Sequence, residues 1–364
     1  MSTTSFGIND AMAVKLWSKS VAQAERDTMD IAKLMGESDD SIIQVKEDFS
    51  KSAGDKVTYA LRTRIQGKGF GEGKKAIGNA TSLSFYSDAL LIGELGQTVG
   101  VKNKTTIDAQ RIPFNLREQG KSGLTQWWRD RKSVSFFNHV CGFTPSNTES
   151  DTSGSYFTGL NTVLAHTATR RIWAGTATND EGLTSSDTFT VALIDKAKEL
   201  AGTGDNMLRP IEIGGQPKYV MYLDPAQVTS LRTNATTGGW LDITKAAMQG
   251  GEITKNPIYT GALGEWNGVI LRQSQDVTTG VNSSTGAAIS TVRRAILLGA
   301  QAAVCGYGKS GEHGPSKYRW SEELIDHDRE LELGAWSIWG MKKTQFNSVD
   351  FGTITVSTYA VRQS

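Results

Sequence analysis

Between residues 10 and 34 apolar side chains return at three- and four-residue steps: Val14, Trp17, Val21 and Ala24, then Ile31 and Leu34. That spacing puts them on one face of a helix, with Asn9 or Asp10 as cap and Gly36 as stop. The stripe is sparse, so the expected helix packs on something outside itself. The next stretch changes period. Ile43 and Val45, then Val57, Tyr59, Leu61, Thr63 and Ile65, alternate in the manner of strands and leave Arg62 and Arg64 on the opposite face. The run QGKGFGEGKK (66–75) follows, with glycine at every second position from Gly67 to Gly73, and residues 82–87 read as a returning strand. The pattern predicts a long hairpin with a basic tip, which buries too little to hold itself still.

Helical spacing resumes at 113–142. Pro113 suits a first turn, and Leu124, Trp127, Trp128, Val134, Phe137, Val140 and Cys141 fall mostly on one side. Residues 146–186 are rich in Thr, Ser, Gly and Asn and read as irregular structure anchored by Tyr156, Phe157, Leu160, Ile172 and Trp173. A helix over 187–202, an apolar strand over 218–224, a short helix over 225–232 and strand material at Ile270 and 293–304 then make an α/β unit. Strand patterning returns from Leu324 to Trp339 and from Phe351 to Val361, so the last segment is expected to rejoin the earlier sheet. The simplest topology is one domain inserted in another, and no repeat of fixed period is present.

Composition narrows the classes. The 364 residues carry 39 Lys and Arg against 38 Asp and Glu, a net charge of +1, so no bulk preference for nucleic acid follows. A hydrophobic share of 38% with 39 glycines and 7 prolines fits many turns and extended segments. The N-terminal stretch has no basic region followed by a continuous apolar run, and no window offers about 18 uncharged apolar residues. A soluble protein made in a cytoplasm, with no membrane partner, is the expectation. Cys141 and Cys305 are too few for a disulfide scaffold or a four-cysteine zinc site, and read as buried thiols.

Four stretches together carry a resemblance: YALRTRIQGKG (59–69), RIPFNLR (111–117) with LTQWW (124–128), NPIYTGALGEWNG (256–268) and WGMKKTQF (339–346). In this order the chain resembles the major capsid proteins of tailed bacteriophages, N-four type family. The resemblance implies an α+β chain with the Hong Kong 97-type capsid fold. Its parts would be an N-terminal arm (1–50), an extended hairpin loop with flanking strands (51–103), a peripheral domain with a long spine helix and a surface insertion (104–186), an inserted axial domain (187–310) and returning peripheral strands (311–364). It implies a self-assembling icosahedral shell of hexamers and pentamers in the virion, built in the host cytoplasm around double-stranded DNA. Portal and scaffolding proteins, and a decoration protein, would be further partners. The alternatives are another virion structural or receptor-binding protein and the shell of a bacterial cargo compartment.

Candidate chemistry is thin, and no catalytic residue, cofactor or metal is assigned. AVCGYGKS (303–310) fits a relaxed phosphate-loop pattern, but GEHGP follows where a helix would have to start. The acidic run Glu322, Glu323, Asp326, His327, Asp328, Glu330 and Glu332 has metal-ligand chemistry, yet a strand sends neighbours to opposite faces, so a solvated or inter-subunit acidic strand is the better reading. His139 and Cys141, two apart on a helix, do not face each other. The residues expected at inter-subunit contacts are Arg62, Arg64, Lys68, Phe70, Lys74 and Lys75 on the hairpin, with Glu322 and Glu323 as acidic counterparts chosen by sign.

Overall fold

The computed structural model describes residues 30–47, 56–62, 69, 71–73, 75, 77, 85–103, 106, 115–146, 156–203, 207–233, 263–308 and 317–362. The predicted helix over 10–34 lies mostly outside them. Its end, Asp30–Leu34, is a 3-10 turn. Then come β1 (Met35–Gly36) and β2 (Ile43–Glu47), followed by the hairpin of β3 (Lys56–Arg62) and β4 (Phe85–Leu91). The returning strand therefore runs past its expected end at Ser87, to Leu91, and after Ile92 alone the chain continues as β5 (Gly93–Lys102).

Helix α1 (Leu116–Val140) follows. It starts inside the predicted range because the Asn115 side chain caps it, accepting from the Arg117 amide at 3.1 Å. It ends where Gly142 turns left-handed at φ 56°, with Phe143 N–H donating to Asn138 O and Gly142 N–H to His139 O. Those two bonds satisfy carbonyls that the last turn leaves open.

Next are β6 (Arg171–Trp173), α2 (Val191–Thr203), β7 (Ile211–Ile213), β8 (Gln216–Leu223) and α3 (Pro225–Thr233). Asp224 caps α3 as its sequence suggests, accepting from Ala226 N–H at 2.8 Å ahead of the first-turn proline. The strands β9 (Gly264–Trp266), β10 (Val269–Gln273), β11 (Thr279–Val281), β12 (Ala288–Leu298) and β13 (Ala303–Tyr307) come after. The chain closes with β14 (Arg319–Ile325), β15 (Glu330–Lys343), β16 (Gln345–Phe346), β17 (Val349–Asp350) and β18 (Thr353–Tyr359).

Two sheets organise these elements. The first runs β1-β2-β13-β15-β14 with β5 also on β15, and the second runs β6-β18-β12-β8-β10-β9 with β7 and β11 attached. Two expectations are corrected here. The strand run 293–304 is two strands in different sheets, parted at Gly299, where an added Cβ would lie 2.6 Å from Arg209 O, and at Gln301, whose φ is 51°. The last segment does not all rejoin the earlier sheet: β14 and β15 do, while β18 pairs with β12 and β6 in the second.

Helix α1 packs its Leu124, Trp128, Phe136, Phe137 and Val140 into one core with Leu331, Leu333, Ala335 and Met341 of β15. The same core takes Val220, Tyr222, Ile296 and Leu298 from one face of the second sheet. The intervening Tyr219, Met221, Leu223, Ala295 and Leu297 point to the other face, under Leu193, Ile194 and Ala197 of α2. This explains why β8 and the inner half of β12 read as unbroken apolar runs. Both of their faces are buried.

Candidate assembly surface

Among the described residues the hairpin β3–β4 pairs only with itself, in a register that sets Tyr59 opposite Asp88 and Arg62 opposite Phe85. Val57, Tyr59 and Leu61 alternate inward as predicted and are buried. Tyr59 and Leu61 share a small core with Leu90 of β4 and Val304 of β13. A polar clamp adds direction to that contact. Tyr59 OH donates to Asp88 Oδ2 at 2.8 Å, and Lys342 Nζ from β15 reaches both Asp88 oxygens at 2.8 and 3.0 Å and Ala89 O at 3.3 Å. Burial alone would raise the Asp88 carboxyl, but the bonds from Lys342 and Tyr59 outweigh it and hold it below its ordinary value. The same burial, with the Asp88 charge, pushes the Tyr59 hydroxyl far up.

At the last residue of β4 the backbone is gripped again. Leu91 N–H donates to Asn161 Oδ1 at 3.0 Å, and Asn161 Nδ2 donates to Leu91 O at 2.8 Å. Gly340 lets β15 come this close, since a Cβ there would sit 2.0 Å from Leu91 O. The tip is different. Among the described residues Gly69, Gly71 and Gly73 have nothing within 4 Å of an added Cβ, Gly69 and Gly73 have φ of 64° and 85°, and Ile77 is 92% exposed.

Of the predicted contact residues, Lys75 is exposed at this tip. Arg64, Lys68, Phe70 and Lys74 lie outside the described residues, and Arg62 is described only as the last position of β3. The two acidic candidates part company. Glu322 is buried, paired with Arg117 Nη2 at 2.7 Å and accepting from Trp320 Nε1 at 2.8 Å, so its charge is met inside its own chain. Glu323 is exposed and stands directly opposite Glu332 on β15, also exposed. The acidic run as a whole is the β14–β15 hairpin, turned by Asp326, His327 and Asp328 at positive φ. Among the described residues no group of three His, Cys, Asp or Glu side chains could hold a metal.

The remaining chemical candidates resolve into packing. Residues 303–307 of the phosphate-loop pattern are a wholly buried strand, which presents no loop of amides to a phosphate, and Lys309 and Ser310 lie outside the described residues. Cys141 and Cys305 are both buried free thiols. Sequence reasoning missed the Asp88–Lys342 clamp and Asn161, whose partners lie 254 and 70 positions away.

The sequence matches the model of the phage capsid protein family over residues 5–362. The chain belongs to that family. Its structure is similar to the capsid of Ralstonia phage GP4, with a TM-score of 0.76 and 28% identity, covering 100% of both chains. It also shares its fold with the capsid of cyanophage Pam1, at a TM-score of 0.66, 19% identity and 92% of each chain. The capsid of Helicobacter pylori bacteriophage KHP30 follows at 0.59 and 17%, covering 91% of this chain and 92% of that one. No curated protein matches. The α+β, Hong Kong 97-type fold of a tailed-phage major capsid protein is thus in place, and its setting is the virion capsid, a shell of many copies of one chain.

Proposed function

We propose that this capsid protein closes its shell by laying the β3–β4 hairpin of each copy over a neighbour. The observation that carries the reading is the contrast within that hairpin: a root clamped by Asp88, Lys342 and Asn161, and a tip whose Ile77 and glycines face open space. A tip whose described glycines and Ile77 bury so little in their own chain gains its area from another, and a stable contact needs about 1,000 Å². Contacts around a ring are heterologous, so each copy offers two different complementary surfaces. The basic tip is one, and the exposed Glu323 and Glu332 of β14–β15 are the acidic face we assign to the other.

In this reading residues 1–50 are the arm, 51–103 the extended loop, 104–186 and 311–364 the peripheral part with α1 as spine, and 187–310 the axial part. Copies form hexamers and pentamers of an icosahedral shell in the host cytoplasm, around double-stranded DNA held without sequence preference. The near-neutral charge suits a container that must not grip its contents. Portal and scaffolding proteins, and a decoration protein, complete the partners, and the chain performs no catalysis.

Electron microscopy of the purified chain tests the reading. Closed particles with five- and six-fold clusters are expected, and a chain that stays monomeric at high concentration and low salt would sink it. Nuclease-resistant DNA in particles made during infection separates a genome container from a cargo compartment.

A further inference from the structure

We propose that residues 156–167 form a strap that locks the root of the β3–β4 hairpin, and that acid releases it through protonation of His139 and His166. The proposal concerns the single chain and holds whether or not copies assemble. The strap leaves Phe143, on which Tyr156 stacks with ring centroids 5.5 Å apart, and runs back along the C-terminal half of α1. Three helix side chains donate into its backbone: Asn138 Nδ2 to Phe157 O at 3.0 Å, and Ser135 Oγ and His139 Nε2 to Thr158 O at 3.1 and 2.9 Å. Leu160 then lies on Gly93, and Asn161 takes both backbone groups of Leu91. The far end is fixed on β17, where Asp350 Oδ2 accepts from His166 Nδ1 at 2.8 Å and from Thr167 N–H at 3.1 Å.

Both histidines do this work as neutral rings. His139 Nε2–H is spent on Thr158 O, and Nδ1 is buried with no partner among the described residues. A second proton on that ring would have no acceptor, and the charged groups facing it are Lys343 and Lys342 of β15, both cationic. Burial first, then these lysines, carry His139 down to about 4. His166 is enclosed by Asp350, by Lys343 of β15, by Arg294 of β12 and by Thr355 of β18, which bonds its Nε2. Lys343 Nζ sits 2.8 Å from Asp350 Oδ1, so that carboxylate already has a buried cation. Burial and Lys343 bring His166 to about 4 as well, against the pull of Asp350.

The linkage has a definite sign. A histidine whose folded value lies below its free value of 6.5 favours the closed strap above 6.5 and opposes it increasingly as pH falls toward about 4. Each histidine that becomes free to ionise on opening raises the open population by up to about tenfold per pH unit, or about a hundredfold between pH 6.5 and 4.5.

Hydrogen exchange with mass spectrometry on the full chain, referred at each pH to the unfolded chain, tests this. The expected result is that peptides covering 156–167 and 85–93 lose protection together below pH 6.5, while peptides from β8 and β12 keep theirs. His139→Gln retains a donor for Thr158 O and cannot take a proton, so it should remove about half of the slope, and His166→Gln the other half. Asn161→Ala should free 85–93 at neutral pH and leave the acid slope of 156–167 intact. Protection of 156–167 that is constant to pH 4.5 overturns the proposal. So does a loss shared equally by β8 and β12, which is global unfolding and can be read on the wild-type chain even if a variant does not fold.

Discussion

The root and the tip of the β3–β4 hairpin lie on one pair of strands and are built on opposite terms. At the root Val57, Tyr59, Leu61 and Leu90 are buried, and Asp88 is held by a phenol and an ammonium. At the tip, among the described residues, left-handed glycines stand in open space and an isoleucine is 92% exposed. A uniformly loose hairpin would lose its aim, and a uniformly packed one would have no surface left for a neighbour. Stiffness is placed where it directs the arm, and open surface where a partner must come.

The largest effect should come from removing the open end alone. Deletion of residues 67–75 is expected to leave the circular dichroism spectrum and sedimentation of the subunit unchanged and to abolish stable shells. Normal particles from the deletion would break the contrast between tip and root. A sharper test lies in the base from which the hairpin projects. Trp128 is fully buried against Tyr318 and Trp339, with ring centroids 5.1 and 6.5 Å away, whereas its neighbour Trp127 is half-buried under Arg131. Trp128→Ala should cost about 3–5 kcal/mol by denaturant unfolding, and Trp127→Ala markedly less. Equal losses would mean that α1 does not face β15 through one side.

Smaller is the effect of the clamp. Asp88→Asn keeps the shape and removes the charge, and should cost about 1.5–3 kcal/mol at pH 7, the range for a hydrogen bond to a charged group. Because the folded carboxyl lies below its free value of 3.8, its contribution is complete above that value and fades as pH falls through the folded one. The gap between wild type and variant should therefore narrow below about pH 4. A gap that is constant with pH would say that Asp88 acts by shape alone.

How far the sequence reveals these features depends on how local their causes are. Helix α1 and the inward face of β3 follow from periods of 3.6 and 2, and the cap at Asp224-Pro225 follows from adjacent residues. The buried fate of Glu322 also had a signal, since it alternates in step with Trp320 and Leu324 and so shares their inward face. The split at 299–302 did not, because small and apolar residues run on across it and the change of sheet is marked by the close approach of Gly299 to Arg209 and the positive φ of Gln301. Nor did the strap, whose Thr, Gly and Asn content describes any exposed loop. Its bonds join residues up to 189 positions apart, which no period encodes.

The smallest effect probes the surface assigned to the tip's counterpart. Glu323 and Glu332 face each other across β14 and β15, both exposed, and like charges directly opposite are unfavourable in a free subunit. Glu323→Gln should therefore raise the subunit's stability slightly, by no more than about 1 kcal/mol, and the gain should shrink as salt screens the repulsion. In the shell the sign should reverse. If a neighbour's lysines rest on this pair, the repulsion in the subunit is what the contact relieves, and the variant shell should dissociate at lower salt than the wild type. Measured together, thermal unfolding of the subunit and salt-induced dissociation of particles give two shifts of opposite sign. Two shifts of the same sign would show that the acidic pair lies away from the neighbour's hairpin, and would leave the basic tip to seek its partner elsewhere on the shell.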